Sequence, residues 1–200
     1  LRSEPLSGKT EAGNAAGAKI PRLRTFAEGL TERLWYGGGS QNSAKWAGQA
    51  GFNLLTGNIV SGENTDSFLT AQKALIERFR QEWAHERAPR VALGRVILPT
   101  DGASPDARRR YAEFAAERDK RTGLSHGPRR TLFLPDIVGT TEEILEKLAV
   151  DPVLPLVSEF RLELPYEFHA EDYAQILTDF GRLLPASGTR KPELSVVWAG

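Results

Sequence analysis

The sequence predicts an α/β fold, about half of a (β/α)8 barrel of the TIM type, on three observations. Apolar runs of strand type alternate with segments of helical period along most of the chain. The run RVALGRVIL at 90–98 is apolar on both faces, as in a parallel strand covered on each side. Glycine turns join strand ends to helix starts, most plainly in LWYGGGSQNSAKWAGQAGFNLLTGN at 34–58. A full barrel takes about 250 residues. Four strand–helix units within 200 residues account for half of one.

Taken in order, residues 1–33 are rich in Gly, Ala, Ser and Lys without a sustained period, which predicts a loop or linker. The Ser7-Gly8-Lys9-Thr10 run fails as a phosphate loop, because Ser3 stands where the first glycine is needed and no apolar strand precedes it. Leu34, Trp35 and Tyr36 form a strand, Gly37 to Gly39 a tight turn, and Ser40 caps a helix that runs to Ala50 and ends at Gly51. Phe52 to Leu55 resume a strand. Asn64, Thr65 or Asp66 caps the next helix, whose Phe68, Leu75, Ile76, Phe79 and Trp83 recur at helical spacing.

The strand at 90–98 is interrupted by Arg95 and closed by Pro99, Thr100 and Asp101. Ser104 and Pro105 open a basic helix with Tyr111 and Phe114 on its inner side. Residues 121–136 are the least regular after the linker, and a loop of that length at a strand–helix junction points to function. Thr140 and Glu143 form a capping box for a helix carrying Ile144, Leu145 and Leu148. Residues 157–164 are the last strand, a helix with Tyr173, Ile176, Leu177, Phe180 and Leu183 follows, and 187–200 form a tail.

Composition excludes several function classes. The 26 basic and 26 acidic residues cancel, which argues against nucleic acid or an anionic membrane as the main partner. With no cysteine, disulfides, thiolate nucleophiles and cysteine metal sites are ruled out. No apolar run approaches the roughly 18 residues of a membrane span, and the expected location is cytoplasmic. The chain starts at Leu1 and has no Met, and half a barrel exposes its inner face, so a completing segment or a dimer partner is expected.

The chemistry-bearing residues gather at predicted strand ends. A glycine turn feeding a helix N-terminus frees N–H groups to face an anion, and the helix dipole favours negative charge there, so Gly37, Gly38, Gly39 and Ser40 predict a phosphate site. Thr56 and Gly57 end the next strand on the same side and offer a hydroxyl and an N–H to the same group. Arg95 is either half of a buried ion pair or a cation for a cofactor, phosphate or substrate. His126, Arg129 and Arg130 share the long loop, where a mobile lid could bring cations over an anionic ligand; a solvated loop is the simpler alternative. His85 and His169 sit at helix ends as surface or cap residues. No metal-ligand spacing and no nucleophile elbow occurs.

The run WYGGGSQNSAKWAGQAGFNLLTG resembles the central segment of the luciferase-like flavin-dependent monooxygenases, whose pattern is an aliphatic strand, Gly-Gly-Ser, a helix of small residues, Gly, and a strand entering Thr-Gly. The resemblance continues through RVALGRVILPTD, DIVGTTEEILEKL and YAQILTDFGRLLP, and covers roughly residues 1–186 as the C-terminal half of a member. It implies a (β/α)8 barrel that holds FMN, or a deazaflavin, at the C-terminal ends of its strands. It also implies reduced flavin supplied by a separate NADH- or NADPH-dependent reductase, and dioxygen used to oxidise an organic substrate. Much of the ring pocket and a catalytic histidine belong to the N-terminal half in this family, so no catalytic residue is assigned. Deazaflavin-dependent hydride transfer and a non-catalytic flavin-binding or structural subunit are the alternatives that the family offers.

Overall fold

The computed structural model describes residues 29–186, with side chains through Leu183. The linker expected at 1–33 therefore lies mostly outside the described residues, and the tail expected at 187–200 lies wholly outside them. The chain divides into two compact units, residues 1–34 and 35–200. The described part of the first unit is a single turn of helix, α1 (Leu30–Arg33).

The second unit opens with β1 (Trp35–Gly37), α2 (Gln41–Ala50), β2 (Asn53–Thr56) and β3 (Ile59–Ser61). It continues through α3 (Phe68–Gln81), β4 (Val91–Pro99), α4 (Pro105–Asp119), β5 (Thr131–Phe133) and β6 (Ile137–Gly139). It ends with α5 (Thr141–Ala149), a 3-10 turn at Leu154–Leu156, β7 (Glu159–Glu163) and α6 (Ala170–Ala186). The result is a mixed α/β fold whose five-stranded sheet is parallel throughout, and whose β1, β2, β4 and β7 lie side by side in chain order. β6 adds to the carboxyl end of β4, where Ile97 stands opposite Ile137.

Local chemistry sets most boundaries. Ser40 caps α2 reciprocally with Ser43, and Gly51 ends it at φ 74° in the left-handed region. Ser104 with Pro105 starts α4, and the Thr140–Glu143 capping box starts α5. The cap of α3 is Ser67, not Asn64, Thr65 or Asp66: its hydroxyl accepts from the Thr70 N–H at 3.4 Å. Apolar side chains then build two clusters on β4. Leu54, Val91 and Leu93 pack against Ala44 and Ala47 of α2 and Leu75, Ile76 and Phe79 of α3. Ile97 and Leu98 pack with Tyr111, Ile144, Ile176 and Phe180 from α4, α5 and α6.

Three short strands were not expected. β3 and β5 form a separate antiparallel pair, with Val60 opposite Leu132. This corrects the irregular loop at 121–136: it contains β5, His126 and Thr131 bridge in a hairpin, and the Leu134 N–H donates to the Asn58 carbonyl at 3.1 Å. The free N–H and C=O groups of β3 are what it satisfies.

Arg95 lies in the middle of β4 with its side chain fully buried. Its Nε and Nη2 donate to one Asp151 carboxylate oxygen at 3.1 and 2.8 Å, and Nη2 also donates to Gln72 Oε1 at 2.8 Å. Gln72 in turn donates to Thr56 Oγ1 at 3.0 Å and to the Gly57 carbonyl at 2.8 Å. Burial pulls the guanidinium below its ordinary pKa, and the Asp151 carboxylate opposes that pull. Of the two roles open to Arg95 from sequence, its contacts are those of the buried ion pair. Arg95→Leu strands the Asp151 carboxylate and should cost about 3 to 5 kcal/mol in denaturant unfolding, part of which the added Asp151→Asn recovers by removing the orphaned charge.

Candidate functional site

In open and closed parallel sheets alike, ligands bind beyond the carboxyl ends of the strands. Here those ends are Gly37, Thr56, Pro99 and Glu163. Two distinct features lie along this edge.

The first is the glycine turn. Gly38 extends the β1–β2 pairing by donating to the Leu55 carbonyl at 2.9 Å, and the Gly39 carbonyl accepts from the Ser61 N–H at 2.6 Å. None of the three glycines has positive φ. Close approach explains Gly39 instead, since a Cβ there would lie 2.9 Å from the Ile59 carbonyl oxygen. Gly37 is different: it is exposed, and a Cβ on it would meet nothing within 4 Å. Ser40 Oγ accepts from the Ser43 N–H at 3.2 Å, which commits its hydroxyl to the cap. The Gln41 N–H, at the mouth of α2, donates to Glu63 Oε1 at 3.3 Å. An anion of the protein itself thus stands where an external anion was expected.

The other expected ligands of that phosphate are turned elsewhere. Thr56 is only 2% exposed, and its hydroxyl is held by Gln72 on the side of the sheet that carries Arg95. Gly57 closes over Glu163, into whose carboxylate any Cβ at this position would run. Within the hairpin, His126 has its Nε2 at 2.8 Å from the Arg121 carbonyl and its ring edge on Phe133. Arg130 bonds Asp66 at 2.5 Å and the Gly62 carbonyl at 2.9 Å, and the Arg129 carbonyl accepts from Ser61 Oγ at 2.7 Å. His126, Arg129 and Arg130 therefore share one hairpin, and that hairpin is pinned to β3 and the segment after it.

The second feature is a cluster that the sequence reading missed. Gly94 and Arg95 point to opposite faces of β4. The Gly94 face carries Glu163, whose carboxylate fills the space that a Cβ on Gly94 or Gly57 would take. The Asn58 backbone N–H bonds this carboxylate. Asn58 Nδ2 donates to Asp136 Oδ1 at 3.4 Å, and Arg118 Nε donates to Asp136 Oδ2 at 2.5 Å. Asn58 is 3% exposed, and its Oδ1 is buried with no hydrogen-bond donor. The one sequence signal was the alternation of Glu159, Arg161 and Glu163 with apolar residues, which sets Glu163 on the polar face at a strand's carboxyl end.

Desolvation raises the Glu163 pKa; Arg95, Arg118 and the Asn58 N–H hold the rise down, and the Asp136 carboxylate adds to it. Among the described residues no group of His, Cys, Asp and Glu is arranged to hold a metal ion, and no helix is long and apolar enough to cross a membrane. Because folding raises this pKa, Glu163 contributes stability that is full below its unfolded pKa and is lost as pH rises through the folded one. Glu163→Gln, which cannot ionise, should remove that loss. Urea midpoints at acid and neutral pH should show the variant gaining on the parent as pH rises.

No family model matches the chain, and no curated protein matches it. Among solved structures it is similar to apo-MsnO8, at 19% identity and a TM-score of 0.49, over 80% of this chain and 52% of that one. The chain thus spans about half the length of that protein.

Proposed function

We propose that this chain is half of a (β/α)8 barrel of the luciferase-like class and works as an FMN-dependent oxidoreductase, a cytoplasmic monooxygenase that uses reduced flavin and dioxygen on an organic substrate. The separate NAD(P)H-dependent flavin reductase and the dimeric state belong to the same proposal. Supporting it are the resemblance quoted above and the chain-order run of parallel strands with a glycine turn at the carboxyl edge of the first. The observation that carries it is Glu63. A carboxylate at the N-terminus of α2 is what the helix dipole and free N–H groups attract, and the phosphate of FMN is a stronger guest of the same kind.

The residues fit the phosphate in part. Gly37 leaves open space, and the Gln41 N–H is directed to an anion; Thr56, Gly57 and Arg95 are engaged elsewhere and take no role in holding it. Bound FMN would supply the electron transfer to oxygen and substrate. The chain's own part is to fix the phosphate at the head of α2 and to let Glu63 swing aside when it arrives.

Flavin fluorescence titrations of the complete protein test this. Gly37→Val should fill the open approach without disturbing the fold and weaken FMN binding by about 1.5 to 3 kcal/mol, the range of a hydrogen bond to a charged group. Glu63→Gln should tighten FMN by about 1 kcal/mol through removal of the competing charge. Riboflavin, which lacks the phosphate, should respond to neither change. Unchanged FMN affinity in both variants sinks the proposal.

A further inference from the structure

Along α4 and the turn that follows it, Arg110, Phe114, Arg118 and Arg121 recur at helical spacing and so share one face. That face and the segment after β7, at Glu167 and Phe168, line an open cavity of about 430 Å³, a volume in the range of small-molecule sites. Its aromatic lining is held in place. Phe114 and Phe168 meet edge to face with ring centroids 5.2 Å apart, and Phe168 also packs on Tyr111 at 4.9 Å. Both rings that line the cavity are only half-buried.

One end of the cavity is cationic. Arg118 lies over the Phe114 ring and donates from Nε and Nη2 to the Asp136 carboxylate at 2.5 and 3.3 Å. Arg121 is half-buried, with its guanidinium carbon 4.2 Å from the Phe133 ring centroid, and among the described residues its side chain makes no hydrogen bond or ion pair. Arg118 and Asp136 are the charged groups that act on it. Two guanidiniums therefore share a single carboxylate, and Asp136 is already taken by the first of them. Burial and then the Arg118 charge pull Arg121 below its ordinary pKa, against the opposing pull of Asp136, as befits a cation short of a partner. The other charges in the lining are differently placed. Arg110 is paired with Asp172 and Glu117 with Lys120, while Glu113 and Glu167 are exposed to water. Those carboxylates disfavour a guest that carries more than one negative charge.

We propose that this cavity binds a monoanionic aromatic carboxylate, its ring against Phe114 and Phe168 and its carboxylate on the Arg121 guanidinium, with Arg118 adding positive potential beside it. The planar fork of a guanidinium matches a carboxylate, and the fixed rings offer apolar surface within the same cavity. The proposal does not rest on the glycine turn taking a phosphate or on the chain binding a flavin.

Titration calorimetry of the full chain with 2-naphthoate and its neutral isostere 2-naphthamide isolates the charge. Naphthoate should bind about tenfold more tightly than naphthamide, a preference that shrinks with added salt. Arg121→Gln should bring the two affinities together and leave the thermal melt close to that of the parent, because Arg121 has no ion pair to lose. The dianion 2-naphthyl phosphate should bind more weakly than naphthoate, and Glu113→Gln with Glu167→Gln should narrow that gap. FMN should not displace naphthoate. Equal affinity for naphthoate and naphthamide in the unsubstituted protein overturns the proposal, and needs no variant to fold. So does a preference that survives in Arg121→Gln, or displacement of naphthoate by FMN, which would place the probe in a flavin site.

Discussion

The buried guanidinium of Arg95 is the constraint on which the rest of the sheet depends. A charge in the centre of a strand is tolerable only if its desolvation is offset by excellent partners, and here these come from distant parts of the chain: Asp151 after α5 and Gln72 on α3. Gln72 then reaches Thr56 and the Gly57 carbonyl at the end of β2. One network therefore fixes how α3 lies on the sheet, where β2 stops, and where the segment after α5 returns. Apolar contacts in the two clusters supply the bulk of the packing, but they are non-directional. The ion pair adds a directional contact that holds Arg95 on the helix side of β4.

That orientation has a counterpart on the opposite face. With Arg95 pointing to the helices, Gly94 points away from them, and its missing side chain admits the Glu163 carboxyl. The two sides of β4 are thus chemically different, a compensated charge on one and a protonatable group on the other. Along the carboxyl edge the electrostatics differ again. The head of α2 already draws a carboxylate to itself, while the Glu163 cluster is nearly balanced by Arg118 and presents an unfilled acceptor.

Much of this architecture was legible in the sequence. The strands at 34–36, 52–55, 90–98 and 157–164 appear as β1, β2, β4 and β7, and the caps at Ser40, Ser104 and Thr140 are where local chemistry puts them. Period and capping are local signals. β3, β5 and β6 are as short as β1 but lack the aromatic run and glycine turn that marked it, and their formation depends on a partner far along the chain. The same limit applies to side-chain roles. Nothing near Arg95 in sequence announces Asp151, and Thr56 looked like a free hydroxyl because Gln72 lies on another element. Asn58 and Asp136, 78 residues apart, meet only through the β3–β5 pairing and the return to β6.

The fit of Glu163 between Gly57 and Gly94 joins the ends of β2 and β7 and the middle of β4 in a single steric unit. Alanine at either glycine would place its methyl group on the carboxylate, so the glutamate, whose far end is flexible, would have to swing out of this space. A side chain at 57 or 94 therefore moves the acid before it moves the backbone, which makes the trio a compact handle for repositioning a carboxyl group at this end of the sheet.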